Sequence, residues 1–99
     1  MFITADGYKI VTVTATGPAS TTAVTAGAAA DISLAVEDSP HNILEIIAVK
    51  RISGLPDGVV LAGWSATADA VTLRVFNPTA GNIDVTADSV TVELLAKAL

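Results

Sequence analysis

Cysteine is absent from the 99-residue chain, which excludes disulfides, thiolate metal sites and cysteine nucleophiles. Small secreted domains often depend on disulfides, so this absence favours assembly in a reducing cytoplasm. Aromatic residues are also few: they are Phe2, Tyr8, Trp64 and Phe76. The bulk of a core must therefore come from Val, Ile, Leu and Ala, and the abundance of Val, Ile and Thr favours β-strands.

Charge is scarce too, and the formal net charge is −5. Nucleic acid is not expected as a partner, because phosphate binding needs clustered Lys and Arg. The only adjacent basic pair, Lys50-Arg51, lies in a strand-like run. No stretch reaches the roughly 18 uninterrupted apolar residues of a membrane helix, and residues 1–10 lack the features of a signal peptide. We therefore expect a soluble protein with no membrane partner.

The length is that of one domain, spanning residues 1–99. A small domain with so little polar surface is expected to cover part of its apolar surface with partner chains. The alternative is a compact monomer that presents Ala and Thr to solvent.

Alternation of apolar and polar residues predicts strands in several stretches. Residues 8–15 and 31–37 alternate cleanly. Residues 43–52 are apolar on both faces, and their β-branched content favours a central strand covered on both sides over the alternative of a short helix. Residues 19–30 are small and polar, and are interpreted as a loop or an edge strand.

Three more strands are predicted between turns, at 59–64, at 69–76 and from Ser89 to about Ala96. The last of these has Val90, Val92 and Leu94 inward. Seven or eight short strands with turns roughly every ten residues are typical of a sandwich or jelly roll. We predict an all-β fold, a small antiparallel β-sandwich or jelly-roll-like domain.

Residues that carry chemistry are isolated from one another. His41 is the only histidine, and it is interpreted as a solvated turn residue, with a metal site shared by three copies or an interface hydrogen bond as alternatives. Four aspartates could suggest a carboxylate pair for glycoside hydrolysis, but each sits beside a turn or strand end, where Asp bonds to nearby backbone amides. They are Asp57, Asp69, Asp84 and Asp88. We predict no enzyme activity, no metal site and no cofactor.

Trp64 leaves three interpretations open. It can fill the core, anchor a protein interface, or stack a sugar ring, and the last of these requires an exposed ring beside polar side chains.

The order of features from residue 55 to residue 95 carries a family resemblance. Ala66-Thr67-Ala68-Asp69 precedes a strand, Asn77-Pro78-Thr79 forms the turn after it, and Ile83-Asp84-Val85 is a short return. This pattern resembles a β-rich module of tailed-bacteriophage head accessory proteins, namely decoration (cement) proteins and head-fibre proteins. Residues 26–36 are similar to the same module, whereas residues 1–18 have no counterpart in it.

The resemblance implies a virion structural protein that decorates and stabilises the outside of a phage capsid. Its partners would be the lattice of the major capsid protein and copies of itself, as a homotrimer at three-fold or quasi-three-fold positions, assembled in the bacterial host cytoplasm. Residues 1–18 would then be an extra edge strand or an arm exchanged between subunits. The alternatives are a head-fibre or tail knob and a carbohydrate-binding or adhesin-type β-sandwich.

Apolar residues beyond the needs of one small core are the candidates for subunit or capsid contacts. They are Phe2, Ile3, Tyr8, Ile43, Ile47 and Trp64.

Overall fold

The computed structural model describes residues 7–37 and 42–99, together with the backbone of residues 2 and 3. Within these residues the chain forms nine strands, a short 3₁₀ helix and no α-helix. The strands are β1 (Phe2–Ile3), β2 (Lys9–Thr16), β3 (Thr21–Val24), β4 (Ala29–Glu37), β5 (Ile43–Ser53), β6 (Val60–Ala66), β7 (Ala70–Phe76), β8 (Ile83–Thr86) and β9 (Thr91–Ala98), and the 3₁₀ helix spans Ala87–Ser89. The predicted all-β class is confirmed.

Two antiparallel sheets enclose one core. Seven strands form the large sheet in the order β5-β9-β2-β4-β7-β6, with β1 beside β2, while β3 and β8 pair in a second sheet. Val24 on β3 and Val85 on β8 are fully buried and belong to the same apolar cluster as the inward residues of the large sheet. The arrangement is sandwich-like and elongated, with extents of 50 × 22 × 17 Å.

β2 lies inside the large sheet. β2 pairs with β9 along its whole length, and its other side is shared by β1 and by the end of β4. The prediction of an edge strand is therefore wrong for Lys9–Thr16. The physical reason is that Val11, Val13 and Ala15 belong to the core, and their strand is flanked on both sides. Exchange of residues 1–18 between subunits stays a prediction.

β5 is an edge strand, so the prediction of a central strand covered on both sides is wrong. Its 11 residues face only 8 residues of β9, because the register shifts three times, between residues 43 and 45, 46 and 48, and 49 and 51. Each shift is a β-bulge that leaves one β5 residue without a cross-strand partner. The pattern of inward and outward side chains in β5 therefore repeats every three residues instead of every two.

This three-residue repeat explains why residues 43–52 look apolar on both faces. Opposite the buried residues of β9 lie Ile43, Ile46, Val49 and Ile52. Opposite the outward residues of β9 lie Glu45, Ala48, Arg51 and Ser53. The remaining three residues, Leu44, Ile47 and Lys50, have no partner in β9 and are exposed.

The turn after β7 is fastened by a buried asparagine. The Asn77 side chain is fully buried, and its amide donates to the carbonyls of Val24 (2.9 Å) and Gly81 (2.7 Å). Its Oδ1 accepts from the backbone N–H of Thr79 at 2.9 Å and lies 2.6 Å from the Thr79 hydroxyl. The backbone N–H of Asn77 donates to Ala28 at 3.0 Å. One side chain thus ties the turn at 77–82 to the second sheet and satisfies its own polar atoms.

Candidate interaction surfaces

Exposed large apolar side chains mark the two edges of the large sheet. Apart from the terminal Leu99, all of those found among the described residues lie on β5 or β6. They are Leu44, Ile47, Val60, Leu61 and Trp64. β5 and β6 are the two ends of the strand order, so each has one side without a neighbouring strand in the described chain.

The first surface, named here the β5 edge surface, consists of Leu44, Ile47 and Lys50. These are the three bulged residues, and their regular spacing follows from the three-residue repeat. Ile47 is 47% exposed. A bulge also disturbs the backbone hydrogen-bond ladder that an incoming strand would extend. This edge is therefore better suited to contacts through its side chains than to pairing with another strand.

The second surface, named here the β6 edge surface, consists of Val60, Leu61 and Trp64. β6 has a bulge of its own between Leu61 and Gly63, which puts Leu61 and Trp64 three residues apart in the chain yet two residues apart along β7. Trp64 is 42% exposed. β6 contains no charged residue, but exposed Asp57 precedes it and exposed Asp69 follows it.

The structure divides the residues predicted to form contacts. Ile47 and Trp64 are exposed on the two edge surfaces, whereas Ile43 is only 8% exposed and packs in the core. The inclusion of Ile43 is therefore wrong, since its place in the β5 repeat turns it toward the core side. Leu44, Val60 and Leu61 were missed because a period of two conceals which residues of a bulged edge strand face solvent.

The other residues predicted to form contacts lie at the start of β2. Tyr8 is half-buried, and the Lys97 ammonium lies 4.2 Å from the centre of its ring, a cation–π geometry. Phe2 and Ile3 form β1 beside β2, and their side chains lie outside the described residues. Whether these three contact another chain stays a prediction.

Most basic residues lie on the three strands at the β5 side of the large sheet. Four of the five lie on β2, β5 and β9: Lys9, Lys50, Arg51 and Lys97. The fifth, Arg74 on β7, donates from its guanidinium to the Asp31 carboxylate at 3.2 Å, and both side chains are more than half exposed. The β5 edge surface therefore carries a lysine beside its apolar residues, while the β6 edge surface lies between two aspartates.

An open depression of about 350 Å³ lies next to Trp64 and is lined by Asp31, Gly63, Trp64, Ser65, Thr72 and Arg74. The strand register pairs Trp64 with Leu73, which is buried, and pairs Ser65 with Thr72. Cross-strand partners share a face of the sheet. The Trp64 side chain therefore belongs to the core-facing side, at the open edge, and the polar side chains of the depression lie on the other face.

No other grouping of reactive side chains emerges from the part of the chain that the structure describes. Asp57, Asp69, Asp84 and Asp88 are all exposed, and no three His, Asp or Glu side chains of the described residues come together to hold a metal ion. His41 lies outside the described residues, so its predicted turn role and the alternatives to it are untested.

Comparison of this chain with protein-family models, with curated proteins and with solved structures gives no significant match. Among the described residues, no helix has the length and hydropathy needed to cross a membrane.

Proposed function

We propose that this chain is a virion structural protein that decorates the outside of a tailed-phage capsid, as a trimer at three-fold or quasi-three-fold positions. The capsid is suggested as the partner by the resemblance of residues 55–95 to phage head accessory proteins. The physical basis of the proposal is that an assembly role requires exposed contact surfaces and no cluster of reactive side chains.

The observation that carries the proposal is the exposure of five large apolar side chains at the two edges of one sheet. Burying a Leu, Ile or Trp that is now about half exposed contributes roughly 1 kcal/mol. Association itself costs about 4–15 kcal/mol in lost freedom. A single contact of this size is therefore weak, and it becomes stable when several contacts form together on a lattice.

The first test is co-sedimentation with capsids. Purified protein is mixed with capsids formed by the major capsid protein of the same genome. We expect the chain to travel with the capsids at a fixed ratio to their three-fold and quasi-three-fold positions and to raise their resistance to heat. Protein that stays at the top of the gradient contradicts the proposal.

A carbohydrate-binding module is the second candidate, because Trp64 is exposed and lines a depression that also contains polar side chains. The strand register weighs against it, since the Trp64 side chain and those polar side chains belong to opposite faces. Titration of the protein with oligosaccharides of the host surface, followed by Trp64 fluorescence, decides between them. Saturable quenching that Ser65→Ala or Thr72→Ala weakens favours the sugar site.

A further inference from the structure

We propose that the β5 edge surface of one copy binds the β6 edge surface of the next copy. The inference deepens the proposed function, on which it rests, by naming the surfaces through which copies of the chain meet. The occupant of each apolar edge is thus a second copy of this chain, and each copy uses both edges.

The apolar residues of the two surfaces have the same spacing. Leu44 and Ile47 are separated by two positions of β9, and Leu61 and Trp64 are separated by two positions of β7. Two positions in an antiparallel strand correspond to about 6.8 Å. Two apolar side chains on one edge can therefore face two on the other without a change in either strand.

Charge favours an antiparallel arrangement. With Ile47 opposite Leu61 and Leu44 opposite Trp64, Lys50 comes two positions beyond Leu61, opposite Val59 and two residues from Asp57. The parallel arrangement brings Lys50 opposite Ala66 instead, three residues from Asp69. Because the chain has a net charge of −5, copies repel one another at long range. A contact that brings a lysine close to an aspartate reduces this repulsion.

Pairing between unlike surfaces is favoured over pairing of a surface with itself. Two β5 edge surfaces in antiparallel contact would set each Lys50 against the Leu44 of the other copy. Two β6 edge surfaces would bring aspartates together. A contact between different surfaces is heterologous, and it closes into a ring when the rotation from copy to copy divides a full turn. A ring of three is the closure that the proposed function expects.

The absence of cysteine allows a direct test by disulfide trapping. Ile47→Cys and Leu61→Cys are made in separate chains, one of them labelled with ¹⁵N, and are oxidised mildly alone and as a mixture. A disulfide forms when the two Cα atoms come within about 4.4–6.8 Å. Ser33→Cys, an exposed position on β4, serves as the matched control for random collision.

We expect the mixed dimer of the Ile47→Cys and Leu61→Cys chains to form at least tenfold faster than either self-dimer or any dimer with the control. Reversal of the charges tests the orientation: Lys50→Glu in the first chain slows trapping, and Asp57→Lys in the second restores it. Both trapping positions are more than 40% exposed, so folding should survive, and Leu44→Cys with Trp64→Cys is a second pair. Equal rates for mixed dimers and self-dimers overturn the inference, and so does failure of Asp57→Lys to restore trapping.

Failure of the inference is distinguishable from failure of the proposed function. If the chains bind capsids but give no mixed disulfide, the proposed function stands and the contact between the β5 and β6 edge surfaces is refuted. If the chains give the mixed disulfide but do not bind capsids, the contact between copies stands and the proposed function is refuted.

Discussion

Replacing Asn77 with alanine is expected to lower the free energy of unfolding by about 3 kcal/mol. The change removes both donors of the buried amide, so the Val24 carbonyl loses its bond to this side chain and the Gly81 carbonyl keeps only the Thr79 hydroxyl at 2.9 Å. It also removes the acceptor of the Thr79 N–H. A buried polar group without a partner costs roughly 1–3 kcal/mol. The Val24 bond is the buried one, whereas water can reach the other two in part, so the three losses sum to about 3 kcal/mol.

Urea unfolding at 25 °C, followed by far-ultraviolet circular dichroism, measures this loss. A domain of this length has a stability of about 5–15 kcal/mol, and its dependence on urea is roughly 1–1.5 kcal/mol per molar. The midpoint should therefore fall by about 2–3 M. Asn77→Asp should cost at least as much, because a carboxylate cannot donate to the two carbonyls and its charge would be buried.

Asn82→Ala is the matched control. The Asn82 Oδ1 also accepts from a backbone N–H, that of Ala26 at 3.0 Å, but in an exposed setting. Water can replace it there, so we expect a loss of less than about 1 kcal/mol. If Asn77→Ala costs no more than Asn82→Ala, the buried amide does not hold the turn and the reasoning is refuted.

Two other changes test the backbone and the packing of the sheets. Gly54→Ala should destabilise the fold by more than about 2 kcal/mol, because Gly54 has φ +89° and an added Cβ would overlap the Ser89 carbonyl oxygen. Gly63→Ala has no atom within 4 Å of the new Cβ and should change stability by less than about 1 kcal/mol. Leu94→Ala should cost about 3–4 kcal/mol, since Leu94 is fully buried. Its neighbour Leu95 lies on the outer, half-buried face, and Leu95→Ala should cost at most half as much. Thermal and urea unfolding of each pair measures the differences. Equal losses within the glycine pair contradict the close approach at Gly54, and equal losses within the leucine pair contradict the assignment of faces.

Much of the fold could be predicted from alternation because most strands keep a period of two. Ile32 and Leu34 on β4, and Val92 and Leu94 on β9, are buried as the pattern indicates. Each of these strands has a neighbour on both sides and contains no bulged residue of its own, so its inward residues recur at every second position.

The edges could not be predicted in the same way. The bulges in β5 depend on pairing with β9, a strand about 45 residues further along the chain. No local pattern reveals that Ile43 faces the core while Leu44 and Ile47 do not. The place of β2 within the sheet likewise depends on long-range pairing, as does the position of Trp64 at an open edge. The apolar character of the edge surfaces was visible in the sequence, but their geometry was not.

The three-residue repeat of β5 also restricts how this strand can change in length. An ordinary strand keeps its inward and outward residues in phase when two residues are added or removed. In β5, loss of one paired residue would move Ile52 out of the core-facing position that it shares with Ile43, Ile46 and Val49, whereas loss of a bulged residue leaves every pair with β9 in place. Loss of three residues, matched by loss of two from β9, preserves both phases. Natural variants of this chain should therefore lose residues of β5 singly at the bulged positions, or by threes where β9 loses two.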